Sequence, residues 1–304
     1  MELQSTIRKQ VGCQGIGLHT GEPVHLTLQP APPDSGVLFR LLPPGVDILV
    51  GPDALLNGHY ATTLGWDGVQ VQTVEHLLAA VAALGIDNLR VEVEGVELPA
   101  MDGSAKPYVD LLYAAGREGQ AAPRRPLYVK EEIRVGDDAR WIQISPATET
   151  RISYTLDLNH PVVGVQIASF APTARVFVEE LASARTYGFL KDVELLRQQG
   201  LARGGSLENA VVVGQERVLN GSLRFRDEFV RHKILDVVGD LALLGRPVVG
   251  HVVARNAGHA LNHQLVREVH RRAAGWERGV VAALHHPVGR SEGEPRLHPG
   301  LAAV

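Results

Sequence analysis

Three side chains in the segment 227–244 are spaced for chemistry: His232, Asp236 and Asp240 lie four residues apart. If the segment is helical, residues at i, i+4 and i+8 stack along one face. Val230, Ile234, Val237, Val238 and Leu241 then form a nearly opposite apolar face. An imidazole and a carboxylate one turn apart can direct two ligand atoms at a single cation, and zinc accepts both. The same spacing equally describes the solvated face of an ordinary amphipathic helix. Gly239, on the polar side, leaves room for a close approach under either reading.

A second group is Thr73-Val74-Glu75-His76. A catalytic zinc keeps three protein ligands and an open position for water. His76 can be the third ligand, and Glu75 the base that takes the water's proton. Glu75 also suits the first turn of any helix, where a carboxylate favours the dipole. Neighbouring helical residues diverge by about 100°, so the two roles agree only if the metal lies at the helix end. A third group, Ala257-Gly258-His259-Ala260-Leu261-Asn262-His263, sets His259 at a turn opening a helix. That is an accessible place for a general acid toward a leaving amine, with Asp240 as partner to its ring. A lone histidine there also serves as a cap or packing residue.

These side chains need a scaffold, and the apolar pattern outlines one. Short β-rich segments such as 23–28 and 37–40 fill the first sixty residues, separated by proline-rich turns. A helix is predicted from an N-cap at Thr73 to Gly85, with Val74, Leu77, Leu78, Val81 and Leu84 at helical spacing. A strand follows over 88–94 and a helix over 107–115. The stretch 117–126 is polar, contains proline and reads as a linker. Beyond it come strands near 127–135, 141–144 and 151–158, then helices over 227–244 and 259–274. Strands followed by helices, twice over, predict an α+β fold of two domains, 1–122 and 126–285, each a sheet layered with helices. No sequence repeat relates the halves. His285 and His286 read as loop residues, and 286–304 reads as a tail without regular structure.

Composition sets the outer bounds. At 304 residues the chain can bury two cores. A net charge of -4 points away from nucleic acid. The single cysteine, Cys13, excludes an intramolecular disulfide and any thiolate-rich metal site. No basic region leads into an apolar core at the N-terminus, and no apolar run approaches the ~20 residues that span a bilayer. A cytoplasmic protein without stable membrane insertion is therefore expected.

Read together and in order, several segments resemble one family. They are Gly17-Leu18-His19-Thr20-Gly21, Thr73-Val74-Glu75-His76-Leu77, Gly85-Ile86-Asp87-Asn88 and Met101-Asp102-Gly103-Ser104-Ala105, then Ala184-Arg185-Thr186-Tyr187-Gly188-Phe189, the run from Asp227 to Asp236, and Gly258-His259-Ala260-Leu261-Asn262. The set is similar to UDP-3-O-acyl-N-acetylglucosamine deacetylase, the zinc enzyme that commits Gram-negative bacteria to lipid A synthesis, over about residues 1 to 275.

The resemblance implies one zinc per chain on His76, His232 and Asp236, with Fe2+ able to replace it. It implies Glu75 as general base, His259 as general acid, Thr186 beside the oxyanion, and Lys233 and Asp240 supporting the charges. It implies an active site between the two domains and a βαβ insert near 188–217 that forms an apolar passage for an acyl chain. Leu18, His19, Tyr187, Gly188, Leu201, Gly204 and Ser206 are the implied contacts to a UDP-linked acylated glucosamine, bound by a monomer. Three features depart from the common pattern. Tyr187 stands where Phe is frequent, Asn256 near a site where many members have Lys, and 60–62 lacks the cysteines some members carry. A non-catalytic binding protein on the same fold would show a damaged ligand set, and this sequence shows none.

Overall fold

Val24, Leu26 and Leu28 alternate with more exposed neighbours along Pro23–Pro30, so this segment forms a strand with one buried face. The same rule builds two five-stranded sheets. In the computed structural model, which describes residues 2–56 and 60–285 with side chains to 276, the first sheet runs in spatial order Val11–Ile16, Pro23–Pro30, Leu89–Glu94, Val37–Leu41, Val46–Leu49. The second runs Ile133–Gly136, Trp141–Ser145, His251–Arg255, Arg151–Asp157, Val165–Phe170. In each, the strand last in sequence lies in the middle, antiparallel to one neighbour and parallel to the other. The two sheets therefore share one topology, a repeat invisible in the residues themselves.

Among the described residues six α-helices accompany them: α1 (Glu75–Ala83), α2 (Lys106–Ala115), the single turn α3 (Ala174–Val176), α4 (Leu190–Gln198), α5 (Glu228–Leu241) and α6 (His259–His285). α2 packs on Val11–Ile16 and on α1. α5 packs on Arg151–Asp157 and Val165–Phe170, and α6 covers Ile133–Gly136 and Trp141–Ser145. α1 and α5 occupy equivalent places, each just before the last strand of its sheet, and they pack on one another. The contact closes where α5 has no side chain: a Cβ on Gly239 would stand 2.2 Å from the Glu75 carbonyl oxygen. Between Tyr187–Phe189 and Val211–Val213, which pair in parallel, α4 makes a βαβ unit.

Several expectations need correction. The supposed linker is mostly a strand, Arg117–Pro123, paired antiparallel with Leu3–Ile7. Its polar residues are there because one face of that two-stranded ribbon meets solvent. Thr73 does not cap α1: it has a left-handed φ of 59°, Val74 holds the N-cap position, and the Thr73 hydroxyl donates to Glu97 instead. α6 runs on past 274 to His285, which closes the helix rather than lying in a loop. His286 and the expected tail 286–304 lie outside the described residues. Gly245, placed after α5 and a short 3-10 turn, takes a left-handed conformation with φ 70° and closes the helical segment. Among the described residues, no helix is long and apolar enough to cross a membrane.

The Gly239 contact is open to test against a helix glycine that meets nothing, Gly275. Gly239→Ala should destabilise by at least the ~1–3 kcal/mol of overpacking, whereas Gly275→Ala should stabilise by roughly 0.5–1 kcal/mol through chain entropy. Denaturant melts of the two variants check the opposite signs.

Candidate active site

α5 is buried on both faces, which removes the solvated-face reading: His232 and Asp236 are each 2% exposed and Asp240 is fully buried. His76, His232 and Asp236 each offer one ligand atom, all within 4.8 Å of one another. The His76 and His232 rings meet edge to face at 5.0 Å. Asp236 Oδ1 lies 3.3 Å from His232 Nε2 and 3.8 Å from His76 Nε2, and has no hydrogen-bond partner among the described residues. A buried carboxylate oxygen left bare costs free energy unless something positive meets it. The geometry fits a metal ion there on three counts. Burial, and then the neighbouring His232 ring, lower the His76 pKa to about 3, so its ring is neutral. Burial also lowers His232. The His232 Nδ1–H donates to the Ala184 carbonyl (3.0 Å), which leaves the Nε2 lone pair facing Asp236. Two free lone pairs and one orphaned carboxylate oxygen make a donor set that suits a divalent cation.

Glu75 and His76 are the first two residues of α1, so the group does lie at the helix end. Glu75 Oε2 accepts from the Thr62 main-chain N–H at 3.0 Å. Burial raises its pKa to about 7, against the opposing pull of His259. His259 opens α6 as expected, yet it is buried rather than accessible, at 7%. A hydrogen bond from the Tyr154 hydroxyl to the Ala257 carbonyl fixes the preceding turn. His259 Nδ1–H donates to Asp240 Oδ2 (2.8 Å), while Nε2 stands 3.7 Å from Glu75 Oε1. Burial alone would lower His259, but Asp240 and then Glu75 outweigh it and raise the pKa to about 10. The imidazolium is thus the neutral-pH form. Asp240 sits well below the usual carboxylate range: burial opposes ionisation, and His259 overcomes it.

Lys233 donates to Asp236 Oδ2 (2.7 Å) and lies 5.5 Å over the Tyr187 ring. Burial would lower its pKa, and the Asp236 charge raises it instead. Tyr187 packs edge-on against Phe229 at 4.9 Å and stands 6.4 Å from His232. Thr186 is held by its main chain, N–H to Gly103 O at 2.7 Å and carbonyl to Val211 N at 2.8 Å; among the described residues its hydroxyl has no hydrogen-bond partner. Gly103 (φ 83°) permits this because a Cβ there would meet Asn209 O at 2.2 Å.

Of the other expected contacts, Leu18, His19 and Gly204 come together. Gly204 N–H donates to Leu18 O and Arg203 N–H to His19 O, each at 3.1 Å. A Cβ on Gly204 would stand 2.1 Å from Gly17 O, so the loop 17–21 and the segment after α4 pack backbone on backbone. Burial lowers the His19 pKa, and His259 is close enough to lower it further. Leu201 is half-buried beside this seam, and Gly188 has open space where a side chain would project. Ser206 is exposed, its hydroxyl accepting from Glu208 N, and nothing in its contacts links it to the metal group. Asn256, where a lysine was the common alternative, has φ 47° and closes its amide on the Asp157 main chain.

Sequence reasoning missed four supports. Glu97, 1% exposed, accepts from His19 N, Thr20 N, and the Thr20 and Thr73 hydroxyls, tying the 17–21 loop to the entry of α1. Arg185 meets Glu228 in a two-pronged buried pair (2.8 and 3.1 Å), which anchors the loop segment carrying Ala184 to the first turn of α5. Arg185 and Glu228 sat inside the quoted motifs, and that was the available signal. Thr62 and His263, which both reach Asp240, stood in the quoted stretches 60–62 and 257–263 without being assigned a role.

Comparison with known proteins shows what the chain is similar to. The family model for LpxC, UDP-3-O-acyl N-acetylglycosamine deacetylase, matches residues 4–271. Among similar proteins, a UDP-3-O-acyl-N-acetylglucosamine deacetylase of Myxococcus xanthus is 51% identical over 269 residues, 88% of this chain and 86% of its own length. The proteins of that name from Oleidesulfovibrio alaskensis and Thioalkalivibrio sulfidiphilus are 48% and 45% identical, covering 88% and 90% of this chain and 88% and 92% of their own.

The donor set predicts one divalent ion per chain, lost in His232→Ala and in Asp236→Ala. Elemental analysis of the folded variants checks this; full metal content in either removes that residue from the ligand set.

Proposed function

The chain belongs to the UDP-3-O-acyl N-acetylglycosamine deacetylase family, and on that premise we propose how its residues carry the reaction. The enzyme is an amide hydrolase of lipid A biosynthesis that removes the 2-acetyl group of UDP-3-O-acyl-N-acetylglucosamine. Water adds to the carbonyl carbon, the C–N bond breaks, and acetate and a free amine leave. His76, His232 and Asp236 would hold the ion, and zinc is the choice that best suits two imidazoles and a carboxylate, with Fe2+ able to replace it. When bound, the metal supplies Lewis acidity, polarising the carbonyl and bringing the pKa of water toward ~7.

The rest falls to the chain. Glu75 takes the water's proton; its pKa of about 7 suits a base that works near neutrality. His259, held as imidazolium by Asp240, gives a proton to the departing nitrogen, because an amine anion is too poor a leaving group. Lys233, locked to Asp236, keeps a positive charge beside the forming oxyanion, and Thr186 brings its unengaged hydroxyl to the same edge. The observation that carries this reading is the bare, buried Asp236 Oδ1, which two neutral imidazoles face and no donor among the described residues meets.

The acyl chain is supported by exposed apolar side chains on the βαβ unit, where Leu190, Leu195 and Leu207 are each more than half exposed (51%, 55% and 52%). Leu18, His19, Tyr187, Gly188, Leu201, Gly204 and Ser206 are the proposed contacts to the UDP-sugar and its chain. We divide the molecule at 122–126, with the site between the two units. We place it as a monomer in the cytoplasm, the compartment that a chain with a single cysteine suits.

Two measurements test the scheme. Glu75→Ala and His259→Ala should keep the metal and lose turnover by roughly the 10²–10⁴-fold of general acid–base groups; a variant with full activity has no such role. A UDP-sugar without the acyl chain should be turned over far less efficiently, with part of the loss in kcat, since remote binding positions the amide. Leu201→Asp should then impair only the acylated substrate. Equal turnover of both substrates by the natural enzyme would sink the acyl-chain reading and leave the metal site standing.

A further inference from the structure

Thr62 touches the site through two different groups. Its main-chain N–H donates to Glu75 Oε2 at 3.0 Å, and its hydroxyl donates to Asp240 Oδ1 at 2.5 Å. The residue is fully buried, and its own carbonyl accepts from Val74 N at 3.3 Å, so the entry of α1 holds it in place. A hydroxyl has one proton, and an ionised carboxylate can only accept. The proton therefore points at Asp240, and the Thr62 oxygen is left to accept from His263 Nε2–H at 2.9 Å. His263, itself 2% exposed, thus supports the orientation that Asp240 imposes on the hydroxyl. The other oxygen of Asp240 takes His259 Nδ1–H and Asn262 Nδ2–H, both at 2.8 Å. One residue consequently links the carboxylate of Glu75 to the carboxylate that aims His259.

We propose that Thr62, with His263 behind it, is a positioning residue that spans the general base and the general acid and sets the distance between them. The inference rests on the roles given above to Glu75 and His259. Thr62 acts through those two groups, so it governs the chemical step rather than substrate affinity. A purely structural threonine would need only its volume, and valine supplies that. Valine also leaves Asp240 Oδ1 and His263 Nε2 facing a methyl group.

Thr62→Val, measured as the metal-loaded enzyme, should lose about ten- to a hundredfold in kcat, the scale for outer partners that orient site groups, with KM unchanged. Thr62→Ser, which keeps both donors, should restore the rate. His263→Ala should lower kcat in the same direction, and the double variant with Thr62→Val should lose less than the two single losses combined, because His263 and Thr62 share one hydrogen bond and the same Asp240 oxygen. A readout independent of turnover is the low-field Nδ1 proton of His259 in NMR spectra of the metal-free protein. It should move in Thr62→Val and in His263→Ala, and stay in Thr62→Ser. Glu75→Ala and His259→Ala run beside them. If those two stay active, the acid–base reading falls; if they lose turnover while Thr62→Val keeps its kcat and its resonance, the proposal for Thr62 is overturned. Should Thr62→Val not fold, His263→Ala carries the test, and an unchanged rate and resonance there overturn the proposal equally.

Discussion

Everything in the site hangs on how closely two buried helices approach. Gly239 of α5 lies against the carbonyl of Glu75, the first residue of α1, with no space for even one carbon between them. That approach places His76 across from His232 and Asp236, and Glu75 across from Asp240 and His259. A pair of helices a few ångströms further apart would keep its hydrophobic burial but lose the common point on which three ligand atoms converge. Side-chain volume at one position, rather than any hydrogen bond, decides whether the metal group exists.

The repeated sheet topology explains why these two helices meet. Each sheet carries one helix just before its central strand, and the two helices pack on each other with the sheets outside. A helix so placed has no solvent side. Its polar face must then be satisfied by the partner helix, by loops, or by an ion. α5 resolves this with Lys233 on Asp236 and the His76–His232–Asp236 cluster on one turn and the Asp240 network on the next. Burying unpaired charge in this way is a poor route to stability, and its retention on a helix that could have been apolar throughout is a mark of function.

Much of this was legible beforehand, and the reason is local. The two faces of α5 follow from residues four apart, and helix periodicity reads such patterns directly. Glu75 and His76 needed one further idea, that adjacent residues converge only at a helix end. What stayed hidden was long-range: which polar face is buried, and against what. The segment 117–123 looked like a linker because its polarity is that of a half-solvated ribbon, and its partner strand is more than a hundred residues away. Thr73 looked like a cap because caps are threonines, but its hydroxyl is drawn to Glu97. Thr62 has no local signature at all, since its role is defined by contacts 13, 178 and 201 residues along the chain.

Three histidines of one kind take two different protonation states within this small volume, and the cause is what each second nitrogen meets. His232 donates its Nδ1 proton to a neutral main-chain carbonyl, so burial prevails and the ring stays neutral with a lone pair to give. His76 is buried beside another imidazole, which presses the same way. His259 donates its Nδ1 proton to a buried carboxylate, and that charge outweighs a comparable desolvation. A histidine against a carbonyl keeps a lone pair to give, as a ligand must; one against a carboxylate keeps a proton to give, as an acid must. The division of labour is therefore set behind the rings, by Ala184 and Asp240, and those two are fixed in turn by the Arg185–Glu228 pair and by Thr62. Chemistry at the front of the site is specified by partners that never touch the reacting atoms.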